Sequence, residues 1–159
     1  MNIFVLDENP KIAATYVLDK HAVKMPTESL QMMSTIADHL GFDSPYKPVM
    51  LNHPCTIWAR ESKQNFEWLK THAIALCHEY TKRYNKIHKC ELVIKEYNPV
   101  WDSLLSVLPD IGLTPFAQAM PDYCRDTTAV KAYRDYYMIE KSHIATWKTE
   151  TPTWFRVVV

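Results

Sequence analysis

The sequence predicts an all-α fold, a compact single-domain helical bundle with long connecting loops spanning residues 1–159. Three observations carry that expectation. Only two glycines, Gly41 and Gly112, occur in the chain, whereas a multi-stranded antiparallel sheet needs several for its hairpin turns. Long stretches repeat apolar residues at helical spacing. The length suits one domain, enough to hide roughly 70% of the surface an unfolded chain exposes, and no repeat, low-complexity tract or Gly/Ser-rich linker divides it.

The elements follow in order. Ile3 to Leu6 is a short apolar run read as extended. Asp19 to Leu40 carries Val23, Leu30, Met33, Ile36, Ala37 and Leu40 in a 3.6-residue rhythm and stops at Gly41, a helix with a C-terminal cap. Pro26 inside it is expected to kink the helix or to start a new one. A loop, FDSPYKPVMLN, leads to Asn52-His53-Pro54, where Asn52 or His53 precedes a helix with Pro54 in its first turn. From Ser62, residues Phe66, Leu69, Ile74, Cys77 and Tyr80 mark one face of the longest helix, ending near Tyr84. Cys90 to Tyr97 and Trp101 to Val107 read as short helices around Asn98-Pro99. Leu108 to Asp126, with three prolines and Gly112, is a long loop. Asp126 is then expected to cap a last helix running through Tyr133, Tyr137, Ile144 and Trp147, before the tail PTWF.

Composition narrows the function classes. Lys plus Arg and Asp plus Glu number 18 each, so no whole-molecule field draws in polyanions, and any nucleic-acid contact needs a local patch. No apolar run approaches the roughly 20 residues that cross a bilayer, so no membrane partner is expected. MNIFVLDENP lacks a basic n-region and a long apolar core, which argues against a secretory or transit segment. The expected compartment is therefore the cytoplasm, a host's cytoplasm if the gene is phage-borne, where Cys55, Cys77, Cys90 and Cys124 stay reduced.

Two constellations carry chemistry. His21, Lys24 and Glu28 stand at i, i+3 and i+7, which on a helix places them on one face within two turns. A carboxylate beside a lysine and a histidine suits general acid/base work or the tuning of an amine nucleophile, although an ordinary solvated Lys/Glu pair has the same spacing. Asn52-His53-Pro54, followed by Trp58 and Arg60, joins an amide, a titratable ring and an indole where a helix begins. That suits a nucleobase or an anion, and equally a plain cap with a packed indole. Of five tryptophans and nine tyrosines most belong to the core, Trp68, Tyr80 and Tyr133 among them; Trp58 and Trp154, beside polar motifs, are expected at the surface, where bases stack. His72 and Cys77 are poorly spaced for a metal, and the chain has no CxxC, HExxH, phosphate-binding glycine loop, G-x-S-x-G or Rossmann fingerprint. Neither metal nor cofactor is expected.

Taken in order, LDKHAVKMPTESLQ, NHPCTIW, FEWLKTHAIALCHEYTKRYN and the terminal PTWF resemble the pyrimidine-dimer DNA glycosylases, the endonuclease V type found in phages and some bacteria. The resemblance spans nearly the whole chain. It implies a small all-helical domain that flips a nucleotide out of damaged duplex DNA, attacks C1′ of the sugar with its N-terminal α-amine to form a Schiff base, and uses a glutamate for glycosidic cleavage and strand scission. Glu28 matches that glutamate and His21 a histidine of the same helix. Lys24 and Asn52-His53-Pro54 match positions typical of bacterial members.

An α-amine titrates near 8, against about 10.4 for lysine, so a far larger share of it than of a lysine is unprotonated at neutral pH. Asn2 is too bulky for efficient removal of Met1, so Met1 is expected to be retained and to carry the nucleophile, with Lys24, if desolvated, as the substitute. The arginines that flank the glutamate of the basic phage member are replaced here; Thr27 precedes Glu28 and Gln31 stands three after it. The expected function is base excision from DNA with abasic-site lyase activity. The alternative is a phage-type protein whose pocket sequesters or modifies a nucleotide signal or hypermodified base, and a third class is a purely structural role.

Overall fold

Helix starts follow from a polar residue set against proline or a helix former. In the computed structural model, which describes residues 1–158, Asn9 precedes Pro10 and its side-chain oxygen accepts from the amides of Lys11 and Ile12 at 2.9 and 3.3 Å, opening α1 (Pro10–Tyr16). His53 caps α3 (Pro54–Glu61) with Nδ1, 3.1 Å from the Cys55 amide. Ser62 caps α4 (Lys63–Tyr84) at the Asn65 amide, and His88 caps α5 (Lys89–Glu96) at the Cys90 amide. Each cap satisfies an amide that the first turn leaves without a partner. α2 (Asp19–His39) ends at Leu40 with Gly41 at φ 84°, and α4 ends at Asn85 with φ 55°, the left-handed conformation that closes a helix. α6 (Asn98–Val107) and α7 (Ala129–Glu140) complete the set, with 3₁₀ turns at Asp122–Cys124 and Ser142–Ile144. Every regular element among the described residues is helical, with no strand.

α4 is the central element. It packs against α1, α2 and α3, and α2 also rests on α3 and α5. The core runs through Leu30, Met33, Ile36, Phe66, Leu69, Leu76, Trp101 and Tyr133. No helix is long and apolar enough to cross a membrane.

Four sequence expectations need correction. α2 continues through Pro26, so of the two alternatives, a kink or a new start, the new start does not occur. Proline removes the donor that would reach the Ala22 carbonyl, but fourteen of the helix's 21 residues are buried, and that packing holds it together. Val23, assigned to the apolar face, is 43% exposed. Ile3 to Leu6 is no strand: Phe4 has φ 57°, and the segment is threaded through the core, each side chain at most 4% exposed. Asp126 does not cap α7. Its carboxylate accepts from the Thr127 amide and pairs with Lys131 at 3.1 Å, and the helix starts after Thr128 and stops at Glu140, short of Ile144 and Trp147.

α1 has no counterpart in the sequence reading, and it explains how a long N-terminal stretch returns to α2. Buried Arg83 of α4 fixes that return. Its guanidinium donates to the carbonyls of Thr15 and Val17 and pairs with Glu79 at 2.9 Å and Asp19 at 3.2 Å. Asp19, the first residue of α2, also accepts from the Lys148 amide at 3.0 Å and the Thr146 hydroxyl at 3.2 Å. The start of α2 is thereby tied to α4 and to the C-terminal segment, which sets the register of the residues that follow.

Candidate active site

The N-terminal segment brings the chain's own α-amine to α2. Met1 N lies 3.2 Å from Glu28 Oε1, with the Met1 side chain only 4% exposed and that of Glu28 10%. Glu28 Oε2 is 3.6 Å from Lys24 Nζ, one turn earlier on α2, beyond ordinary hydrogen-bond distance. That oxygen is buried and accepts no hydrogen bond among the described residues. A carboxylate with one oxygen on an amine and the other unengaged is equipped to move a proton at a second reacting atom.

His53 completes the cluster. Its Nδ1 is occupied by the Cys55 amide, which leaves Nε2 as the reactive nitrogen. Burial and the nearby terminal amine hold the ring below its ordinary pKa; the charge of Glu28 and the Met1 backbone act in the other direction. His53 therefore stands beside the amine as a neutral imidazole at pH 7.

Asn2 holds the amine in place. Its side-chain Nδ2 donates to the Ala119 carbonyl at 2.7 Å, and its Oδ1 accepts from the Tyr133 hydroxyl at 2.8 Å and the Ile3 amide at 2.8 Å. The Cys55 thiol, pushed up to about 11 by burial, lies 3.8 Å from the same oxygen. Sequence reasoning considered only the bulk of Asn2. Its partners, 117 and 131 residues away, leave no local signal by which the anchor could be found.

The other candidates lie as follows. His21 sits in the interior behind the cluster, stacked on Phe4 with ring centroids 4.2 Å apart, and its Nδ1 is 2.6 Å from the Tyr137 hydroxyl. Burial, reinforced by Lys141 and Lys24, pushes its pKa down to about 3. Asn52 is exposed in the turn before His53. Arg60 donates to the Leu51 carbonyl and so braces the same turn. Trp58 is not at the surface: it is 2% exposed, packs against Trp68 and Phe116, and donates to the Thr114 carbonyl, because α3 turns it inward onto α4. Trp154 is half-buried against Tyr16, Tyr137 and Phe155, with the Arg134 guanidinium 5.1 Å from its ring. Lys24 is 71% exposed, so the desolvation that would make it a substitute nucleophile is absent. Among the described residues no group of three or more His, Cys, Asp or Glu is gathered for a metal ion.

The buried rings make stability depend on acid. His72, wholly buried and 2.9 Å from the Pro10 carbonyl through Nδ1, is pushed down to about 4 by burial, as His21 is to about 3. Both are neutral in the fold and gain a proton near pH 6.5 when unfolded. Their contribution is whole above pH 6.5 and falls as pH drops toward 4, by about 1.4 kcal/mol per pH unit for each ring. Urea unfolding should show a clear loss of stability between pH 7 and pH 5; a flat profile there would contradict neutral burial of the two rings.

The family model of pyrimidine dimer DNA glycosylases matches residues 1–92, a span that holds Met1, Asn2, His21, Lys24, Glu28 and His53. Comparison with curated proteins and with solved structures returned no match. The match covers more than half of the chain and includes the whole amine and carboxylate cluster, and on that ground the chain belongs to the pyrimidine dimer DNA glycosylase family.

Proposed function

We propose that the protein is a DNA N-glycosylase with an associated abasic-site lyase activity, in which the Met1 amine is the nucleophile and Glu28 the acid/base. Family membership supports DNA glycosylase function in general; the 3.2 Å approach of the terminal amine to a buried carboxylate is the observation that carries the finer reading.

The chemistry follows from those groups. The unprotonated amine attacks C1′ of a flipped nucleotide as the bond from C1′ to the base breaks, and the base leaves with the bonding electrons. The proton that the nitrogen sheds on forming its bond to C1′ passes to Glu28, which lies against the amine and delivers it to O4′. The sugar ring opens and the nitrogen lone pair forms the C1′=N bond of a protonated imine. The carboxylate so formed takes a proton from C2′, and elimination breaks the bond to the 3′ phosphate. His53, neutral and beside the amine, accepts the proton that the ammonium form must lose before attack. Lys24 neutralises Glu28 Oε2 from the solvent side.

Borohydride reduces an imine to a stable amine and tests the proposal directly. Incubation with duplexes containing a pyrimidine dimer or an abasic site should give a covalent adduct, and peptide mapping should place it on Met1. An adduct on Lys24, or none with either duplex, would overturn the assignment.

A further inference from the structure

The turn that presents His53 also presents Met50, and the two differ in a revealing way. Met50 has φ 50° and is 55% exposed. A long unbranched side chain in the left-handed region is strained, where glycine would be at ease, and an exposed apolar side chain gains nothing from water. Strain of this kind persists only where the surroundings over-determine it, and here they do. The Thr35 hydroxyl accepts from the Val49 amide at 2.9 Å and donates to the Val49 carbonyl at 3.0 Å. The Met50 carbonyl accepts from the His53 amide at 3.0 Å, and Arg60 holds the Leu51 carbonyl. Val49, the neighbour of Met50 in the chain, is 39% exposed and adds further apolar surface.

We propose that Met50 is a wedge that enters the base stack of duplex DNA at the gap left by the nucleotide turned toward Met1 and Glu28. The proposal rests on the glycosylase reading of the site. The turn is rigid, its hydrogen bond to His53 links it to the residue beside the terminal amine, and its tip is an apolar side chain of the kind that fills an unstacked step. A chain with 18 basic and 18 acidic residues has little general attraction for phosphates, so apolar insertion is a physically suited means of holding the opened duplex. Duplex DNA is the occupant that the neighbouring site calls for; a second copy of the chain is the competing one.

The test compares wild type, Met50→Ala, Met50→Gly and Met50→Leu on one abasic site, placed in a duplex and in a single strand. Trapping on the duplex should fall about tenfold or more for Ala and Gly, since filling the gap offsets an unstacking cost that a single strand does not incur. Trapping on the single strand should stay within about twofold on the same ground, and Leu should restore the duplex rate. Glycine accepts the turn's φ without strain, so the thermal midpoint of Met50→Gly should equal or exceed that of wild type. 2-Aminopurine beside the abasic site should brighten on binding of wild type and Leu and stay dim with Ala and Gly. Unchanged duplex trapping, equal losses on both substrates, or a shift in molar mass by light scattering with no effect on DNA would each overturn the wedge, the last in favour of a contact between copies. If wild type gives no adduct at all, the glycosylase and lyase reading fails, while the 2-aminopurine signal still decides whether Met50 enters the stack.

Discussion

Glu28→Gln should slow single-turnover cleavage of a dimer-containing duplex by about a thousandfold, in the range that a positioned acid or base contributes. Gln fills the same volume and leaves α2 intact, so duplex binding should change by no more than a few-fold. What is lost is proton transfer: an amide oxygen cannot deliver a proton to O4′ or keep one taken from C2′. Both Glu28 oxygens bear on this, one 3.2 Å from the Met1 amine and the other buried without a hydrogen-bond partner. Rapid-quench measurement of strand cleavage, read beside an equilibrium binding curve, checks it. A variant that cleaves at the wild-type rate would remove Glu28 from the mechanism, and one that loses binding and cleavage equally would make it a substrate contact.

The second large effect concerns Asn2. Asn2→Ser should lower imine trapping by about a hundredfold, the scale of loss when a reacting group is displaced by an ångström or more. Two causes act together. A small second residue permits removal of Met1, which moves the free amine one residue along the chain, and the hydrogen bonds to the Ala119 carbonyl and the Tyr133 hydroxyl are weakened or lost. Intact mass reports the first cause. Tyr133→Phe isolates the second, since Met1 stays in place while the hydroxyl that donates to Asn2 Oδ1 at 2.8 Å is removed; trapping should fall about tenfold, as expected for one hydrogen bond's worth of positioning. Full trapping by a processed Asn2→Ser protein would show that the amine needs no such anchor.

Local signals were legible because they operate within a few residues. The start of α4 at Ser62 and of α3 after Asn52-His53, with Pro54 in the first turn, are read from neighbouring positions; the structure makes Ser62 a cap and, of Asn52 and His53, selects His53. Glu28 and Lys24 meet because four residues make one helical turn. The failures share a cause as well. Spacing alone put Trp58 at the surface beside a polar motif, but the rotation of α3 on α4 turned it inward against Trp68 and Phe116. Pro26 offered a kink or a new helix start, and burial of the surrounding face kept α2 continuous, so no new helix begins there. α1 is only seven residues long, too short for a periodic pattern to stand out.

By itself the sequence determined the helical class, most helix starts and the meeting of Lys24 with Glu28 on one face of α2, since each of these depends on contacts within one or two turns. Tertiary structure alone decided that the Met1 amine lies 3.2 Å from Glu28 and that Asn2 is held by Ala119 and Tyr133. Those contacts join residues far apart in the chain, and their geometry exists only once α2, α3, α7 and the N-terminal segment have packed around a common core.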